Sequence, residues 1–504
     1  MHPSVRAALL ATLLATVAIP CAQAADITPD QAKALESQMS GWLQRMLGPN
    51  ASQPDRPIQV TPEGDHYHVA VPIGVAGPGQ SDPITITASA RPLDEGRWAI
   101  EGPRIPSPSH FTLQMPTPPQ KGQTTPGPTV PVDYTVAIGS QDSQGTYDPS
   151  FATPSTLTTS FRNLEVEATS AMTDQRTKVE RTASTSTLRP SGVDRVDLIV
   201  DSTTEGYALR SKTGDNQPVE AAALRVRVNG EVTAVSRDRV AQIVPALMRI
   251  TGGVAAGIPK AGSKAPAASP SIDPQLLRTV LQSLQDLASE FTLDETIDGA
   301  VLHYGPYGGT ASQVRIGMGA KSDGGLLQAH MDLGLDGLAL PDLSLGAMAD
   351  LLPRKVALRP VLTGVPTQDL IQLLVASSNA KSGGPPPEFA ALFRRGGVIA
   401  GLESFALDIG GASFAGMGKV MIASPQSLTG EAQVTATNFD DLMQRANAIP
   451  ELAGVLPVFV FAKGIGRTVE NRLVWDITYR DDKLLVNGTD LSAMAANRQP
   501  TRTR

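Results

Sequence analysis

The sequence predicts a mainly β protein (α+β), in which antiparallel meander sheets, extended or curved, are covered by short helices. Segments of alternating apolar and polar residues recur along most of the chain, and a period of two places apolar side chains on one face of a strand. The composition of 46 glycines, 41 prolines and only 4% aromatic residues in 504 favours many turns and short strands over a helical bundle.

Residues 1–24 have the features of a secretory signal peptide: a positive start, a short apolar run and the cleavage motif Ala22-Gln23-Ala24. We expect cleavage before Ala25. Pro20 precedes Cys21, the sole cysteine, where a lipoprotein signal needs a small residue, so lipid attachment is the less favoured alternative. The mature chain is then expected to lack disulfides and thiolate metal sites.

The first predicted domain, residues 25–118, begins with a helix. Thr28 is placed to cap this helix, Pro29 takes its first position and Gln31 completes a capping box. The apolar stripe of the helix is Leu35, Met39, Trp42 and Met46. We expect it to dock on the protein's own core, because the opposite face is not basic enough to favour a membrane surface. The strands predicted next are HYHVAVPI, ITITASA, GRWAIEG and FTLQMP.

A segment dense in Pro, Thr and Gly, 115–131, separates this region from a predicted β meander domain over 132–256. VDLIV, YALRS and LRVRVNGEV are its predicted strands. In the last of them, alternation predicts that Leu224, Val226 and Val228 share one face. Residues 257–271 are the clearest linker.

The third predicted domain, 272–490, starts with a helix, DPQLLRTVLQSLQDLASEF, whose stripe is Leu277, Leu281, Leu284 and Leu287. The strands predicted after it are VRIGMG, HMDLGLDGLAL, KVALRPVL, FALDIGG, GKVMIAS, EAQVTATN, RLVWDITYR and KLLVNG. Residues 491–504 are predicted to be a disordered tail.

A short strand that runs into a helix occurs three times, as VTAVSRDRVAQIVPA (232–246), LTGVPTQDLIQLLVA (362–376) and VTATNFDDLMQRANA (434–448). Ser236 and Asn438 are predicted to cap their helices, and Pro366 to set φ at the start of the second. We expect each helix to cover the apolar face of its sheet. The side chains predicted to be buried are Val240, Val244, Leu370, Leu373, Leu374 and Leu442.

Sequence motifs for catalysis are weak. GASFA (411–415) departs from the G-x-S-x-G elbow of serine hydrolases at Ala415, and alternating segments flank it, so a catalytic role for Ser413 is disfavoured. The carboxylates of Asp440 and Asp441 are best explained as favourable charges in the first turn of a helix. No catalytic or cofactor-binding residue is predicted.

Two pairs of residues that contain histidine are candidate metal ligands. His66 and His68 would point to the same face of a strand and could bind one ion, but no third ligand is evident nearby, so a pair of exposed imidazoles is favoured. His330 with Asp332 repeats the pattern more weakly. His303 is predicted to end a strand beside a turn. We predict no metal site.

Charge and hydropathy limit the partners. The formal net charge is −7 and the Lys and Arg residues form no cluster except in the terminal RQPTRTR, so a nucleic-acid partner is not expected. No apolar run after the signal is long enough for a transmembrane segment in the mature chain.

The C-terminal segments NFDDLMQR, ELAGVLPVFV and RLVWDITYRDDKLLVNGTDLSAM resemble the ending of exported bacterial proteins of the domain of unknown function 2125 family. A more distant similarity is to AsmA-like envelope proteins, in which strands and short helices alternate along an extended sheet. The resemblance covers about the last hundred residues well, and it implies no catalytic residues.

We therefore expect a non-catalytic periplasmic protein with a binding or structural role in the cell envelope, and with a lipid or another amphiphile as the ligand class. Two alternatives stay open: a periplasmic hydrolase with a dispersed site, and an assembly factor that binds another envelope protein along a sheet edge. The apolar strand faces predict either a groove for acyl chains or a filled core. They are Met331/Leu333/Leu335, Phe405/Leu407/Ile409 and Trp475/Ile477/Tyr479.

Overall fold

The computed structural model describes residues 27–47, 57–73, 84–93, 97–116, 129–148, 153–171, 173–213, 217–239, 287–341, 343, 345–380, 389–393, 396–424 and 427–492. The protein is mainly β, with antiparallel pairing throughout the described strands and few helices, as predicted. It divides into two compact units, residues 1–289 and 290–504. The signal peptide, the linker 257–271 and most of the helix predicted over 273–291 lie outside the described residues.

Within its described residues, unit 1 contains one long helix followed by ten strands. They are α1 (Pro29–Leu47), β1 (Gln59–Glu63), β2 (His66–Ile73), β3 (Ile84–Pro92), β4 (Trp98–Arg104), β5 (Ser109–Pro116), β6 (Thr129–Asp148), β7 (Thr153–Thr169), β8 (Thr173–Gly192), β9 (Arg195–Thr213) and β10 (Val219–Ser236).

The strands of unit 1 pair in the order β1-β2-β3-β4-β6-β7-β8-β9-β10. The strand β5 pairs with the first half of β6, and β4 with its last residues. Strands on both sides of the Pro-rich segment therefore belong to one sheet. The segments VDLIV and YALRS, predicted as separate strands, are parts of the single strand β9, because the Ser and Thr residues between them are compatible with extended structure.

The helix α1 docks on the start of this sheet, as its stripe predicts. Leu35 and Met39 are buried against a core that includes Tyr67 and Trp98; the side chains of Trp42 and Met46 are outside the described set. Thr28 caps the helix, its Oγ1 accepting a hydrogen bond from the Gln31 N–H at 3.3 Å.

A buried tyrosine completes the capping of α1. The Tyr67 hydroxyl accepts a hydrogen bond from the Thr28 N–H at 3.1 Å and donates one to Gln31 Oε1 at 2.8 Å. The predicted capping box thus closes through a third residue, which ties the start of α1 to β2.

A transverse row of irregular positions crosses five strands of unit 1. Its members, in mutual register, are Gly139, Asn163, Glu180, Gly206 and Leu224. Asn163 and Gly206 have positive φ, 51° and 62°. In β8 and β10 the alternation of half-buried and exposed residues shifts by one residue at this row. We call the row the crease. The register between neighbouring strands is the same on both sides of the crease. The crease therefore keeps apolar residues on one face although their sequence parity changes.

The crease explains one wrong prediction. Val226 and Val228 share the half-buried face, but Leu224, expected beside them, lies in the crease and is 74% exposed. Alternation along β10 alone does not reveal where its phase shifts.

The described part of unit 2 contains eleven strands, three helices and short 3-10 turns. They are β11 (Glu290–Tyr304), β12 (Tyr307–Asp323), β13 (Leu326–Asp336), a 3-10 turn (Gly346–Leu351), β14 (Lys355–Pro366), α2 (Thr367–Ala380), a 3-10 turn (Phe389–Phe393), β15 (Val398–Ile409), β16 (Ala412–Ser424), β17 (Ser427–Thr437), α3 (Phe439–Asn447), a 3-10 turn (Pro450–Leu452), α4 (Leu456–Ile465), β18 (Arg467–Val469), β19 (Arg472–Arg480), β20 (Lys483–Val486) and β21 (Thr489–Asp490).

The strands of unit 2 form a meander, β11 to β17 in sequence order, followed by β19, β20 and β21. The strand β18 pairs with the start of β19. Glu290 and Phe291 begin β11, so the helix predicted over 273–291 does not extend to its predicted end. Leu491, placed in the predicted tail, packs on the core of this unit.

Two of the repeated strand–helix units are present, with corrections, and the first is described only as far as residue 239. Ser236 Oγ accepts a hydrogen bond from the Arg239 N–H at 3.4 Å, as a cap does, whereas Val240 and Val244 lie outside the described residues. Asn438 makes no side-chain cap bond; its backbone is left-handed, with φ 54° and ψ 33°. Asparagine tolerates this conformation better than most residues, which corrects its predicted role.

The helices cover the sheet unequally. Leu442 of α3 is buried, as predicted. In α2 the buried residue is Ile371, while Leu370 and Leu373 are half-buried and Leu374 is exposed. The buried side of α2 therefore differs from the predicted leucine stripe, because the path of the chain after Pro366 sets the rotation of the helix.

Candidate apolar binding face

One face of the unit 2 sheet is apolar from β12 to β19. Cross-strand register places side chains opposite one another in rows, and three rows define the surface that we call the apolar face. The first row is Ile316, Leu333, Leu358, Phe405, Gly416, Val434 and Trp475. The second contains Met318, Met331, Leu402, Gly418, Ala432 and Ile477. The third is Ala320, Ala329, Leu362, Ala400, Val420, Gly430 and Tyr479.

The central part of the apolar face is open. Five large side chains of these rows are more than a third exposed: Met318, Met331, Leu358, Leu362 and Val420. Leu428, which continues the same face of β17, is also more than a third exposed. Buried cores in globular domains are close-packed. These exposures therefore show that this stretch is not a closely packed core.

A strip of small residues runs through the apolar face along β16 and β17. Gly418 pairs with Ala432, and Gly430 pairs with Val420 on one side and Tyr479 on the other. A Cβ on Gly418 would lie 2.6 Å from Ala432 Cβ, so the backbones approach too closely for larger residues. Leu402 on one side and Ile477 on the other rise above this strip.

Aromatic residues and helices cover one end of the apolar face. Phe439 of α3 packs edge-on against Trp475 and Phe459, with ring centroids 5.8 and 6.1 Å apart. Trp475 Nε1 donates a hydrogen bond to the carbonyl oxygen of Ala462 in α4 at 2.8 Å. Here the strand-and-helix pattern produces a packed core, which also contains Leu442 and Val486.

The opposite face of the same sheet is charged. Lys419 Nζ lies 2.8 Å from Glu431 Oε1, Arg467 pairs with Asp476 at 2.9 Å, and Arg359 Nε lies 2.9 Å from Glu403 Oε2. The Lys419 ammonium holds the pKa of Glu431 below its usual value. The sheet thus has one apolar and one hydrated face, as antiparallel sheets commonly do.

Polar groups at the margin of the apolar face are few. The Tyr479 hydroxyl donates a hydrogen bond to Asp482 Oδ1 at 3.1 Å, and this bond raises the pKa of Tyr479. The margin next to β19 therefore presents a phenol and a carboxylate beside an apolar strip.

The structure places Ser413 in an exposed position on β16, directly after a two-residue hairpin turn. Gly410 and Gly411 of that turn have positive φ, 58° and 84°, which suits the tight turn between Ile409 and Ala412. Ser413 therefore does not lie at a strand-to-helix elbow, and its backbone carbonyl accepts a bond from the Thr437 hydroxyl.

The predicted histidine candidates are not members of the rows that form the apolar face. His66 Nδ1 is 3.1 Å from Asp65 Oδ1, and this contact lowers the pKa of Asp65. His68 lies two residues further along β2. His330 Nε2 is 3.6 Å from Asp332 Oδ2, which also pairs with Arg359. His303 is near the end of β11, as predicted. Over the described ranges, no three His, Cys, Asp or Glu side chains are grouped closely enough to hold a metal ion.

Sequence reasoning missed the small-residue strip, because glycine is read first as a turn residue. The available signal was the G-x-G of AGMGKV within an alternating segment, since a glycine inside a strand marks a close backbone approach. Within the described residues, no helix is both long and apolar enough to cross a membrane. No family profile, no curated protein and no solved structure matches the chain.

Proposed function

We propose that the protein is a non-catalytic, periplasmic envelope component that binds the acyl chains of a lipid or another amphiphile on the apolar face of unit 2. The observation that carries this proposal is the open centre of that face, where large apolar side chains flank the strip at Gly418 and Gly430. Export to the periplasm and the resemblance to domain of unknown function 2125 and AsmA-like proteins remain predictions from the sequence.

The energetics favour a chain-like ligand. Each buried CH₂ contributes about 0.8 kcal/mol, so a fourteen-carbon chain gains about 11 kcal/mol, comparable with the roughly 4–15 kcal/mol that association costs. A narrow strip walled by Leu402 and Ile477 fits an extended methylene chain better than a bulky ring system. The few polar groups at its margin leave the chain, and not a head group, as the main source of affinity.

The test uses two neighbouring residues on opposite faces of β16. Val420 is 40% exposed on the apolar face and Met421 is 45% exposed on the charged face. We expect the wild-type protein to take up a fluorescent fatty acid. Val420→Glu is expected to weaken that uptake by about tenfold or more, because a chain on the strip would desolvate the carboxylate. Met421→Glu should bind as the wild type does.

Native mass spectrometry of protein isolated from the periplasm provides a second reading. Bound lipid in the wild type and in Met421→Glu, absent from Val420→Glu, is the expected result. Ligand-free wild-type protein that takes up no fatty acid would refute the proposal. Equal uptake by both variants would place the ligand elsewhere.

A further inference from the structure

The helix α4, LPVFVFAKGI, is apolar on nearly all sides although it lies at the surface. Phe459, Ala462 and Ile465 face the core of unit 2. On the outside, Val458 and Val460 are each 58% exposed, and Phe461 is also exposed. The preceding Val455 continues the exposed set. A helix that is apolar all round is normally buried in protein or in lipid.

The charges around α4 do not form a patch that would select a charged partner. Lys463 is the only ionisable residue within the helix, and its Nζ is paired with Asp440 Oδ1 at 2.5 Å. Arg467, directly after the helix, is paired with Asp476. The outer surface of α4 is therefore effectively neutral and apolar.

The size of the outer surface argues against a stable protein interface. It presents four large apolar side chains, whereas each partner in a standard interface contributes about 20–30 residues. A ten-residue helix is also too short to span a bilayer, which needs about 20 residues, and apolar stretches of this length are typical of buried core helices or interfacial segments. The exposure of Val458 and Val460 favours the interfacial segment, and burial of apolar area drives the reversible insertion of a helix at a membrane surface.

The inner side of α4 adjoins the apolar face. Ala462 contacts Trp475 through the hydrogen bond to Nε1, and Trp475 and Ile477 belong to the rows that border the small-residue strip. A lipid surface in contact with the outer side of α4 would thus lie next to the end of the proposed acyl-binding strip.

We propose that the outer side of α4, formed by Val455, Val458, Val460 and Phe461, inserts into the surface of a lipid bilayer. The inserted side chains are neutral, so binding depends on apolar contact and not on anionic head groups. The role of this docking in ligand exchange rests on the proposed function, but the docking itself is measurable without it.

The experiment measures flotation of the full mature protein with vesicles of phosphatidylcholine. We expect the wild type to float with the vesicles, at low and at high salt alike. Val458→Asp combined with Phe461→Asp is expected to reduce the bound fraction by about tenfold or more. The matched control is Met417→Asp, an equally exposed apolar residue on the charged face, which should float as the wild type does.

A fluorescent variant tests whether misfolding of the double variant, and not the loss of apolar contact, explains a loss of flotation. In Phe461→Trp, a blue shift of the emission on adding phosphatidylcholine vesicles is expected only if this position enters the bilayer. Wild-type protein that does not float, binding only to anionic vesicles that is lost in salt, or unchanged flotation of the double variant would each overturn the inference. A protein partner for α4 would give the first of these results.

The two proposals fail separately. The α4 double variant should still take up a fluorescent fatty acid in vesicle-free solution, because its substitutions lie outside the strip. Val420→Glu should lose this uptake and still float with vesicles. Loss of both properties in either variant would contradict the assignment of separate roles to the two surfaces.

Discussion

At the residue scale, single backbone conformations decide how elements join. Asn438 links β17 to α3 with a left-handed backbone and without a side-chain cap. The carbonyl oxygen of Asn438 accepts a bond from the Asp441 N–H at 3.1 Å, so the first helical turn is closed by the main chain. The amide side chain of Asn438 is exposed and is not needed for this bond.

Substitutions at Asn438 distinguish backbone strain from capping. We expect Asn438→Gly to leave the free energy of unfolding unchanged or slightly higher, and Asn438→Ala to lower it by about 1 kcal/mol. Asn438→Val should cost clearly more than Ala, because a β-branched side chain is disfavoured at positive φ. Urea denaturation measures the series. Equal losses for Ala and Val would instead indicate that the side chain acts as a cap.

At the element scale, the covering helices and the crease determine which faces of the sheets are buried. Helices cover one end of the unit 2 apolar face, and the crease shifts the pattern of alternation across β6 to β10 of unit 1. The covering by helices and the crease both depend on a small number of close contacts. One substitution and a matched control are therefore enough to test either feature.

The covering role of α3 predicts a large effect at one leucine and a small effect at another. Leu442 is 5% exposed and packs over Gly410 and Leu351, whereas Leu374 of α2 is 46% exposed. Leu442→Ala is expected to destabilise by about 2–5 kcal/mol through the cavity it leaves, and Leu374→Ala by less than about 1 kcal/mol. Chemical denaturation compares the two. A negligible effect of Leu442→Ala would show that α3 does not cover the sheet.

The crease predicts that glycine is required at its position in β9. Gly206 has φ 62°, and an added Cβ would lie 2.3 Å from Glu180 Cγ. Gly206→Ala is expected to destabilise by about 1–3 kcal/mol, and Glu180→Ala in the same chain should recover part of the loss. Gly454→Ala, with open space around it, is the control and should change stability by less than about 0.5 kcal/mol. Thermal or urea unfolding that gives equal values for both glycines would contradict the requirement.

At the scale of the whole molecule, an open apolar surface is combined with a modest negative charge. The formal net charge is −7 at neutral pH and the sequence pI is about 5.5. Charge repulsion therefore opposes association of the apolar surfaces at neutral pH, and this repulsion vanishes near the pI.

We therefore expect reversible self-association to increase as pH falls from about 8 to about 5.5, because net charge near zero promotes association. Light scattering across this range measures it. Val420→Glu should associate less than the wild type, since it places a charge on the apolar face, while Ser413→Ala should behave as the wild type. Scattering that does not change with pH would show that the apolar face does not drive association.

The sequence by itself determined most of the strands, the docking of α1, the antiparallel class and the presence of apolar strand faces. These follow from alternation, capping residues and turn glycines, and each of these signals acts within a few residues of chain. Leu442 was correctly predicted as buried for this reason, and Ser413 was correctly placed outside a nucleophile elbow.

Only the tertiary structure decided which apolar residues remain open. Val420 and Ile371 are both apolar, yet one borders an exposed strip and the other is buried. The strip exists because Gly418 and Ala432 meet across strands, and the crease exists because Gly206 aligns with Asn163 from two strands away. Such alignments depend on register between distant segments, and no local pattern in one strand specifies what its neighbours present.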